Sequence, residues 1–472
     1  LVGSGPWVPP ISLTFSFLTS DVVFFNIVFF LRIFLFLIVY NYMKKKDKAR
    51  ELIFKGILMH LRGVSLKDLN EYYEEKFYFL RLNEKDKALI KFITLTTIRN
   101  RGIIENIMNK YLKKPLKAKM LEPKSGIMLG ISQILFSRIP SYASVNTVVD
   151  LFYGKNQRWK PLVNALLRKV VKEKITLMQL IENKILNIPP WLKNSWFKQF
   201  GKDKAIKIIN SIFEDPTIDI KVKSSINDWK KVLDANLICN DTLRIRTKGD
   251  IKKLKGFKEG KWWIQDIAAQ LPVKIMGEIK DKKIIELGAA PGGKTAQMLN
   301  KGAIVTSLEI SKKRTALLKK NLNRLNFTKN NKIICEDARK WIAKEKADIT
   351  IVDVPCSSTG TLRKNPDVMW HKREEDIYKL KITQLDLLNT AINLTAIKGI
   401  IIYSSCSLQF EEGEEVIKYF LEKKLVKLLH IRKDEINGYP EEILNKGLIR
   451  TLPYMYNKGG MDGFFIARML KI

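Results

Sequence analysis

The strongest constraint on the fold lies in residues 273–472, where short apolar runs alternate with longer helical stretches. The helical stretches include 312–325 and 376–396. The predicted strands are 283–287, 303–308, 332–335, 349–353, 400–404 and 464–468. This alternation favours an open, mostly parallel β-sheet with helices on both faces. Ligands of such sheets bind at the carboxyl ends of the strands, so the residues after each strand are the functional candidates.

A glycine-rich loop follows the first predicted strand. It reads Gly288, Ala289, Ala290, Pro291, Gly292, Gly293, Lys294 and Thr295. Small residues let a ligand approach the backbone, and the start of a helix offers free N–H groups. The loop also satisfies the P-loop pattern, GxxxxGK followed by Ser or Thr, with Asp353 as a possible magnesium-linked acid. The loop alone therefore leaves two alternatives open, a nucleoside cofactor and the triphosphate of an ATPase.

Acidic residues follow the next strands. Glu309 follows the second strand, where a carboxylate can accept both ribose hydroxyls of a nucleoside. Glu336 and Asp337 follow the third strand, where a carboxylate can receive an adenine amino group. A single acid of this kind is more often a helix cap or part of a solvated turn. Together with Asp353, acids after successive strands favour a nucleoside ligand across the sheet edge.

Two of the four cysteines follow strands at the same predicted edge. Cys356 lies in the run DVPCSS after Asp353, and Cys406 lies in the run YSSCS after the next strand. One buried cysteine is usually structural, whereas two beside a cofactor cleft indicate thiol chemistry. A thiolate can add to C6 of a pyrimidine and make C5 a nucleophile toward an electrophilic methyl group. A P-loop mechanism needs no such thiol.

The region from residue 48 to about 174 has helical periodicity. One helix face carries Val163, Leu166, Leu167 and Val170 at the i, i+3, i+4, i+7 spacing. This pattern predicts a helical bundle, and its exposed lysines and arginines make RNA contact a hypothesis. Residues 190–272 mix short helical and strand-like runs, and we interpret them as a connecting subdomain.

Residues 1–42 differ from the rest of the chain. The run Val22–Tyr40 holds 19 mostly apolar residues, enough to span a bilayer, although Arg32 near its middle would be costly there. The alternatives are a signal anchor and translated upstream sequence before a soluble protein that starts at Met43. We favour the second alternative, so we expect residues 1–42 to be dispensable and no membrane association.

Charge and cysteine content bear on partners and compartment. Lys and Arg number 84 against 48 Asp and Glu, and the net charge of +36 favours nucleic acid, with AT-rich coding as the alternative source of lysine. The cysteines form no CxxC pair and the chain has 3 histidines, so we predict no metal site. Four cysteines make no disulfide scaffold, which is typical of a reducing compartment such as the cytoplasm.

Several separated motifs resemble those of RNA cytosine-C5 methyltransferases that use S-adenosylmethionine. The motifs are IPSYASVNTVVDL (139–151), VNALLRKV (163–170), WIQDIAAQL (263–271), ELGAAPGGKT (286–295), DVPCSSTG (353–360), RKNPDVMW (363–370), YSSCS (403–407) and MDGFF (461–465). Within this class the chain is similar to the bacterial 16S rRNA (cytosine967-C5)-methyltransferase family, which has a NusB-like N-terminal domain. The resemblance covers nearly everything after about residue 48, with the motifs in the family's order.

The resemblance implies an α/β Rossmann-like methyltransferase domain at 273–472. An all-α NusB-like domain at 43–187 and a small connecting subdomain at 188–272 precede it, and 1–42 lies outside the fold. It implies a monomeric, cytoplasmic enzyme that methylates C5 of a specific cytosine in 16S rRNA with S-adenosylmethionine and no metal. A P-loop ATPase and a non-catalytic RNA-binding module stay as alternatives, and the two cysteines argue against the second.

The resemblance also implies the cofactor residues. The loop from Gly288 to Lys294 would line the methionine and ribose side of S-adenosylmethionine. Glu309 stands where the family usually has Asp, and it would bind the ribose hydroxyls. Asp337 would bind the adenine. Asp353 would lie between the cofactor and the target base.

The resemblance gives the two cysteines different roles. Cys406 would be the nucleophile that attacks C6 of the cytosine, and basic surroundings are expected to lower the pKa of its thiol. Cys356 would help to release the methylated product. DNA cytosine methyltransferases instead use a cysteine after proline as the nucleophile, so the presence of both cysteines points to the RNA class.

Overall fold

The computed structural model describes residues 47–472 apart from 240, 246–248 and 458. The interpretation of residues 1–42 lies outside the described residues. The helices are α1 (Lys48–Leu61), α2 (Leu66–Leu80), α3 (Glu84–Arg99), α4 (Arg101–Tyr111), α5 (Leu121–Phe136), α6 (Ser141–Val149), α7 (Lys160–Lys172), α8 (Lys174–Ile181), α9 (Pro190–Phe200), α10 (Lys202–Ile212), α11 (Ile226–Val232), α12 (Ile267–Lys274), α13 (Gly293–Asn300), α14 (Lys312–Arg324), α15 (Val368–His371), α16 (Glu374–Leu394) and α17 (Glu414–Glu422). In this part of the chain, no helix is long and apolar enough to cross a membrane.

The strands fall into two sheets. They are β1 (Ile218–Val222), β2 (Asn236–Cys239), β3 (Thr242–Ile245), β4 (Trp262–Ile264), β5 (Lys283–Leu287), β6 (Ile304–Leu308), β7 (Asn331–Ile334), β8 (Ala347–Asp353), β9 (Thr395–Ser405), β10 (Val426–Leu428), β11 (Leu444–Asn445), β12 (Leu448–Thr451) and β13 (Phe464–Lys471). Strands β1 to β4 form one sheet, and β5 to β13 form the other.

Helices α1 to α8 form a bundle around one apolar core. Side chains of Asp47, Ser65 and Asn83 accept backbone N–H groups at the starts of α1, α2 and α3. Such caps satisfy donors that a helix leaves without an intrahelical partner. The predicted apolar face is buried on α7, and it consists of Val163, Leu166, Leu167 and Val170. The helical bundle predicted from periodicity is therefore confirmed.

The region between bundle and large sheet contains α9, α10 and a four-stranded antiparallel sheet in the order β2-β3-β1-β4. The guanidinium of Arg244 donates to both carboxylate oxygens of Asp219, at 2.6 and 2.9 Å, and both side chains are buried. The carboxylate of Asp219 also accepts the N–H of Ile267, the first residue of α12. This buried ion pair thus joins the small sheet to the domain that follows.

The large sheet has nine strands, with β11-β12-β13-β9-β8-β5-β6-β7 as its main order and β10 paired to β13. Strands β7, β6, β5, β8 and β9 run parallel, whereas β13 is antiparallel to β9. Helices lie between β5 and β6, between β6 and β7, and between β8 and β9, as in a Rossmann-like fold, whereas turns connect β7 to β8. The predicted fold class is confirmed, and the carboxyl ends of the parallel strands meet at one edge.

The helical bundle packs directly on the segment 363–371, which contains the RKNPDVMW motif. The indole N–H of Trp370 donates to the carbonyl oxygen of Ile98 at 3.1 Å. Nitrogen Nε2 of His371 lies 3.1 Å from Nδ1 of the buried His60. A motif of the C-terminal domain is therefore held in place by helices α1 and α3 of the bundle.

We expect the fold to lose stability as the pH falls below about 6.5, because His60 is buried in this contact. Burial, followed by the charges of Arg101 and His371, lowers the pKa of His60 from 6.5 to about 3. Between these values the unfolded chain binds a proton that the folded chain does not. The free energy of unfolding should therefore decrease by about 1.4 kcal/mol per pH unit as the pH falls.

Denaturant unfolding at neutral and mildly acidic pH measures this dependence. His60→Gln removes the titrating ring and should make the loss of stability on acidification shallower. His430→Gln is the matched control, because His430 is exposed, and it should keep the wild-type dependence. Equal dependence in wild type and His60→Gln would contradict the assignment to His60.

Candidate active site

A cleft of about 460 Å³ opens at the carboxyl edge of the parallel strands. Residues that follow β5, β6, β7, β8 and β9 all contribute to its wall. The predicted site residues that line it are Gly288, Glu309, Asp337, Asp353, Cys356 and Cys406. The cleft therefore brings the cofactor candidates of the first three strands together with the two thiols of the last two.

The glycine-rich loop meets the cleft through its first residue. A Cβ on Gly288 would lie 2.4 Å from the carbonyl oxygen of Asp353, and Gly288 has a φ of +82°. A side chain at Gly288 would therefore displace the end of β8. The other loop residues continue into α13, with Ala289 and Ala290 buried, Pro291 exposed, Gly292 at the helix cap and Gly293 as the first helical residue.

The two polar residues that a P-loop would direct at phosphate and magnesium have internal partners. Lys294 is buried, and its Nζ lies 2.8 Å from Oδ2 of Asp353. The hydroxyl of Thr295 lies 2.5 Å from Oε2 of the buried Glu286. Each side chain is engaged by a carboxylate, so this geometry argues against the P-loop ATPase.

Glu309 offers an acceptor to the cleft. Its Oε1 accepts the N–H of Ser311 at 3.1 Å. Within the described residues, its buried Oε2 accepts no hydrogen bond and lies 3.5 Å from Nη2 of Arg314. A buried carboxylate oxygen without a donor is costly. A ribose hydroxyl of a bound nucleoside is a donor of the kind this oxygen lacks.

Asp337 follows strand β7 and lies in the wall of the cleft. Both of its carboxylate oxygens accept from the guanidinium of Arg339, with Nε to Oδ1 at 3.0 Å and Nη2 to Oδ2 at 2.7 Å. This hydrogen bond is the main reason that the pKa of Asp337 lies below its ordinary value. Asp337 is therefore a fixed anion at the cleft wall. Gly288, Glu309 and Asp337 together fit a nucleoside cofactor.

Asp353 lies between the cofactor residues and the thiols. Its Oδ1 accepts the hydroxyl of Ser404 at 2.8 Å, and its Oδ2 pairs with Lys294. The side chain is 31% exposed. The carboxylate is thus oriented by one partner on each oxygen and still accessible from the cleft, which suits contact with a target base.

The thiols of Cys356 and Cys406 touch. Their Sγ atoms lie 3.2 Å apart, and the Cys406 thiol also lies 3.5 Å from the Ser358 hydroxyl. Among the described residues, no cysteine forms a disulfide. The hydrogen bond between the thiols lowers the pKa of Cys356 and raises that of Cys406 well above its ordinary value. The expectation that surrounding basic groups lower the pKa of Cys406 is therefore wrong for this pair.

The RKNPDVMW and MDGFF motifs meet in an ion network that joins a partly exposed lysine to two buried carboxylates. The ammonium of Lys364 donates to the carboxylate of Asp266 and, at 3.0 Å, to Oδ2 of Asp462. Burial, followed by the charge of Asp266, raises the pKa of Asp462 to about 7. These motifs therefore connect α12, the segment before α15 and the start of β13.

Two residues of the site were missed from the sequence. Ser404 orients Asp353, and the buried Glu412 binds the residues next to both cysteines. Ser404 lies inside the YSSCS motif, which is a usable signal. Glu412 belongs to the segment EEGEE (411–415), and no pattern distinguishes it from the other three glutamates.

Two family models match the chain. The model described as 16S rRNA methyltransferase RsmB/F matches residues 274–470, and the NusB family model matches residues 47–172. The first match covers the domain that carries the cleft. The second covers most of the helical bundle.

Named relatives extend over most of the chain. Ribosomal RNA small subunit methyltransferase B of Proteus mirabilis is 30% identical over 400 residues, which are 80% of this chain and 92% of the relative. The chain belongs to this family. Ribosomal RNA small subunit methyltransferase B of Cronobacter sakazakii is 27% identical over 452 residues, with 91% of this chain and 100% of the relative covered.

Two solved structures have a fold similar to that of this chain. The crystal structure of PH0851 has a TM-score of 0.72 at 23% identity and covers 89% of this chain and 99% of that chain. The crystal structure of NSun6 from Pyrococcus horikoshii with SFG has a TM-score of 0.52 at 21% identity and covers 60% and 98%. These likenesses support the fold alone.

Membership of the ribosomal RNA small subunit methyltransferase B family confirms the predicted family and enzyme class, an S-adenosylmethionine-dependent rRNA cytosine-C5 methyltransferase. S-adenosylmethionine is the cofactor of the family, as predicted. In the described ranges, no group of three or more His, Cys, Asp or Glu residues could hold a metal ion.

Proposed function

We propose that the chain methylates C5 of one cytosine in 16S rRNA through a covalent bond between Cys406 Sγ and C6 of the base. The cytosine at position 967, which the resemblance names, is the proposed target. The observation that carries the proposal is the 3.2 Å thiol pair in one cleft with Asp353. A methyl transfer to an exocyclic atom or to a purine would need neither thiol.

The reaction begins when the target cytosine leaves its stack and enters the cleft. Entry of the base next to Cys406 replaces the hydrogen bond between the thiols, which is the main cause of the raised pKa of Cys406, while Cys356 stays beside it. The thiolate then forms the Sγ–C6 bond, and the electron pair of the C5–C6 double bond moves toward C4 and N3, which makes C5 nucleophilic. Asp353 contacts the N3/N4 edge of the base, and a proton passed to N3 through its carboxyl group neutralises the negative charge that develops there.

S-adenosylmethionine, when bound, supplies an electrophilic methyl group to C5. Gly288, Glu309 and Asp337 are the cleft residues that would hold it. The reaction ends when the C5–C6 double bond of the aromatic ring is restored. A base removes the proton from C5, the Sγ–C6 bond breaks, and Cys356 assists this elimination from its position beside Cys406.

The other parts of the chain are proposed to position rRNA. The division into a NusB-like domain at 43–187, a connecting subdomain at 188–272 and a methyltransferase domain at 273–472 is part of this proposal. The basic surface of the first two would contact RNA phosphates. We further propose that the enzyme works as a monomer in the cytoplasm.

The decisive experiment uses methyl-labelled S-adenosylmethionine and 16S rRNA that lacks the modification. The proposal predicts label in 5-methylcytidine after complete digestion, and bisulfite sequencing then gives its position. Equilibrium binding of S-adenosylmethionine against ATP is the parallel control for the P-loop alternative. Label in another nucleoside alone, or tight binding of ATP alone, would refute the proposal.

RNA affinity should decrease steeply as salt rises, because the chain carries a net charge of +36. Phosphate contacts release counterions, so log K should decrease by about 0.7–0.9 per contact for each tenfold rise in salt. Titration of a 16S rRNA fragment at several salt concentrations measures the slope. Binding of S-adenosylmethionine in the same buffers is the control. RNA affinity that does not change with salt would assign the lysine content to coding bias.

A further inference from the structure

The side chain of Glu412 is fully buried between the two cysteine-bearing loops. Its Oε1 accepts the N–H of Ser357 at 2.8 Å and Nε2 of Gln384 at 3.0 Å. Its Oε2 accepts the hydroxyls of Ser357 and Ser407, each at 2.5 Å. Four donors from three chain segments therefore converge on one carboxylate.

The donors are placed next to the reacting thiols. Ser357 directly follows Cys356, and Ser407 directly follows Cys406. The two serine hydroxyls also lie 3.0 Å from each other. Glu412 thus connects the loop after β8 to the loop after β9 at the point where their thiols are 3.2 Å apart.

Backbone hydrogen bonds alone do not fix the two cysteine-bearing loops to each other along their whole length. The N–H of Gly360 donates to the carbonyl oxygen of Cys406 at 2.9 Å, which joins the two loops on the far side of Ser358. The regular pairing of β8 with β9 ends at Asp353 and Ser404, before either cysteine. Between these two points the distance between the thiols depends on side chains. The Glu412 carboxylate binds both loops, and hydroxyl contacts of Ser407 with Ser357 and Thr359 add to this link.

Burying a carboxylate is expensive unless donors surround it. Burial raises the pKa of Glu412 above its ordinary value despite its donors. An apolar residue at this position could fill the same space, but it could not bind the serine hydroxyls or the Ser357 N–H. The arrangement therefore provides orientation of the two loops, which a hydrophobic core contact would not provide.

We propose that Glu412 is a positioning residue of the methyl transfer, which holds Cys356 beside Cys406 so that the covalent intermediate is released. This inference rests on the proposed function, because it requires that Cys406 forms the adduct and that Cys356 assists its elimination. Glu412 touches neither thiol. It acts through Ser357 and Ser407.

The first measurement concerns the free enzyme and needs no RNA. Phenylarsine oxide bridges two thiols that lie close together, and peptide mapping identifies the bridged pair. Wild type should form the Cys356–Cys406 bridge rapidly. Glu412→Gln and Glu412→Ala should slow bridge formation by about tenfold or more, because the loss of fixed geometry lowers the effective concentration of one thiol at the other.

The second measurement separates formation of the adduct from its release. In single turnover with rRNA and cofactor, Glu412→Gln should form the adduct but release it about 100-fold more slowly, the order of loss for a reacting group misplaced by about 1 Å. Glu415→Gln is the matched control. Glu415 lies three residues after Glu412 in the first turn of α17, is exposed and pairs with Lys381, so bridging and release should stay at wild-type rates.

Ser357→Ala and Ser407→Ala test the same link with the carboxylate in place. Each removes one hydroxyl donor, so each should slow bridging and release less than Glu412→Ala, and these variants decide the question if the Glu412 variants do not fold. Wild-type bridging and release in the folded variants would overturn the proposal. Failure of wild type to form any adduct or 5-methylcytidine would instead overturn the proposed function, while bridging would still report on Glu412.

Discussion

Replacing either of the two cleft cysteines, Cys356 and Cys406, with alanine should stop the enzyme at a different stage. Cys406→Ala removes the nucleophile, so S-adenosylmethionine should still bind while no adduct and no product form. Cys356→Ala keeps the nucleophile and removes the thiol that raises the pKa of Cys406, so attack should proceed. Release should then slow by about 10²–10⁴-fold, the usual contribution of a positioned acid or base. The enzyme should accumulate as a covalent protein–RNA complex.

A denaturing gel of enzyme, rRNA and cofactor shows this complex as a slowly migrating band. The double variant should lose the band, because the adduct depends on Cys406. Cys335→Ala is the matched control, since Cys335 is exposed and should leave product formation unchanged. If both cysteines were structural, each variant would lose about 1–3 kcal/mol of stability and form no adduct. Adducts in Cys406→Ala but not in Cys356→Ala would indicate the DNA-type arrangement.

The centre of the large sheet was predictable because its strands are short apolar runs followed by small or polar residues. The prediction of 283–287 matches β5 residue for residue, and 464–468 lies within β13. The strands of the small antiparallel sheet and strands β10 to β12 were not predicted from the sequence. These strands have two to five residues, too few for an alternating pattern, and pairing with distant segments determines them.

The candidate site, too, could be predicted from the sequence only in part. Glu309, Asp353 and the cysteines could be placed at one edge, because parallel strands bring their carboxyl ends together. The burial of Glu412 could not be predicted, since the neighbouring glutamates have the same chemistry and tertiary packing alone distinguishes them. The pKa of Cys406 depends on a 3.2 Å contact with Cys356, fifty positions away. The sequence carries no information on a distance of this kind.

Asp353→Asn should reduce the rate of adduct formation by about 10²–10⁴-fold, the range for a group that assists proton movement in a transition state. The amide keeps the size of the side chain and an acceptor for the Ser404 hydroxyl. It removes the carboxyl group that Lys294 contacts at 2.8 Å, and with it the group proposed to pass a proton to N3 of the base. Single-turnover adduct formation in the Cys356→Ala background measures this step directly.

Two comparisons separate this role of Asp353 from cofactor binding and from stability. Asp348→Asn is the matched control on the same strand, because Asp348 lies toward the amino end of β8 and accepts the backbone N–H of Lys283 at 2.9 Å. It should leave adduct formation unchanged. Binding of S-adenosylmethionine to Asp353→Asn, measured by equilibrium titration, should weaken far less than the rate. Wild-type adduct formation in Asp353→Asn would show that the carboxylate only pairs with Lys294, whereas equal losses in binding and rate would assign Asp353 to the cofactor.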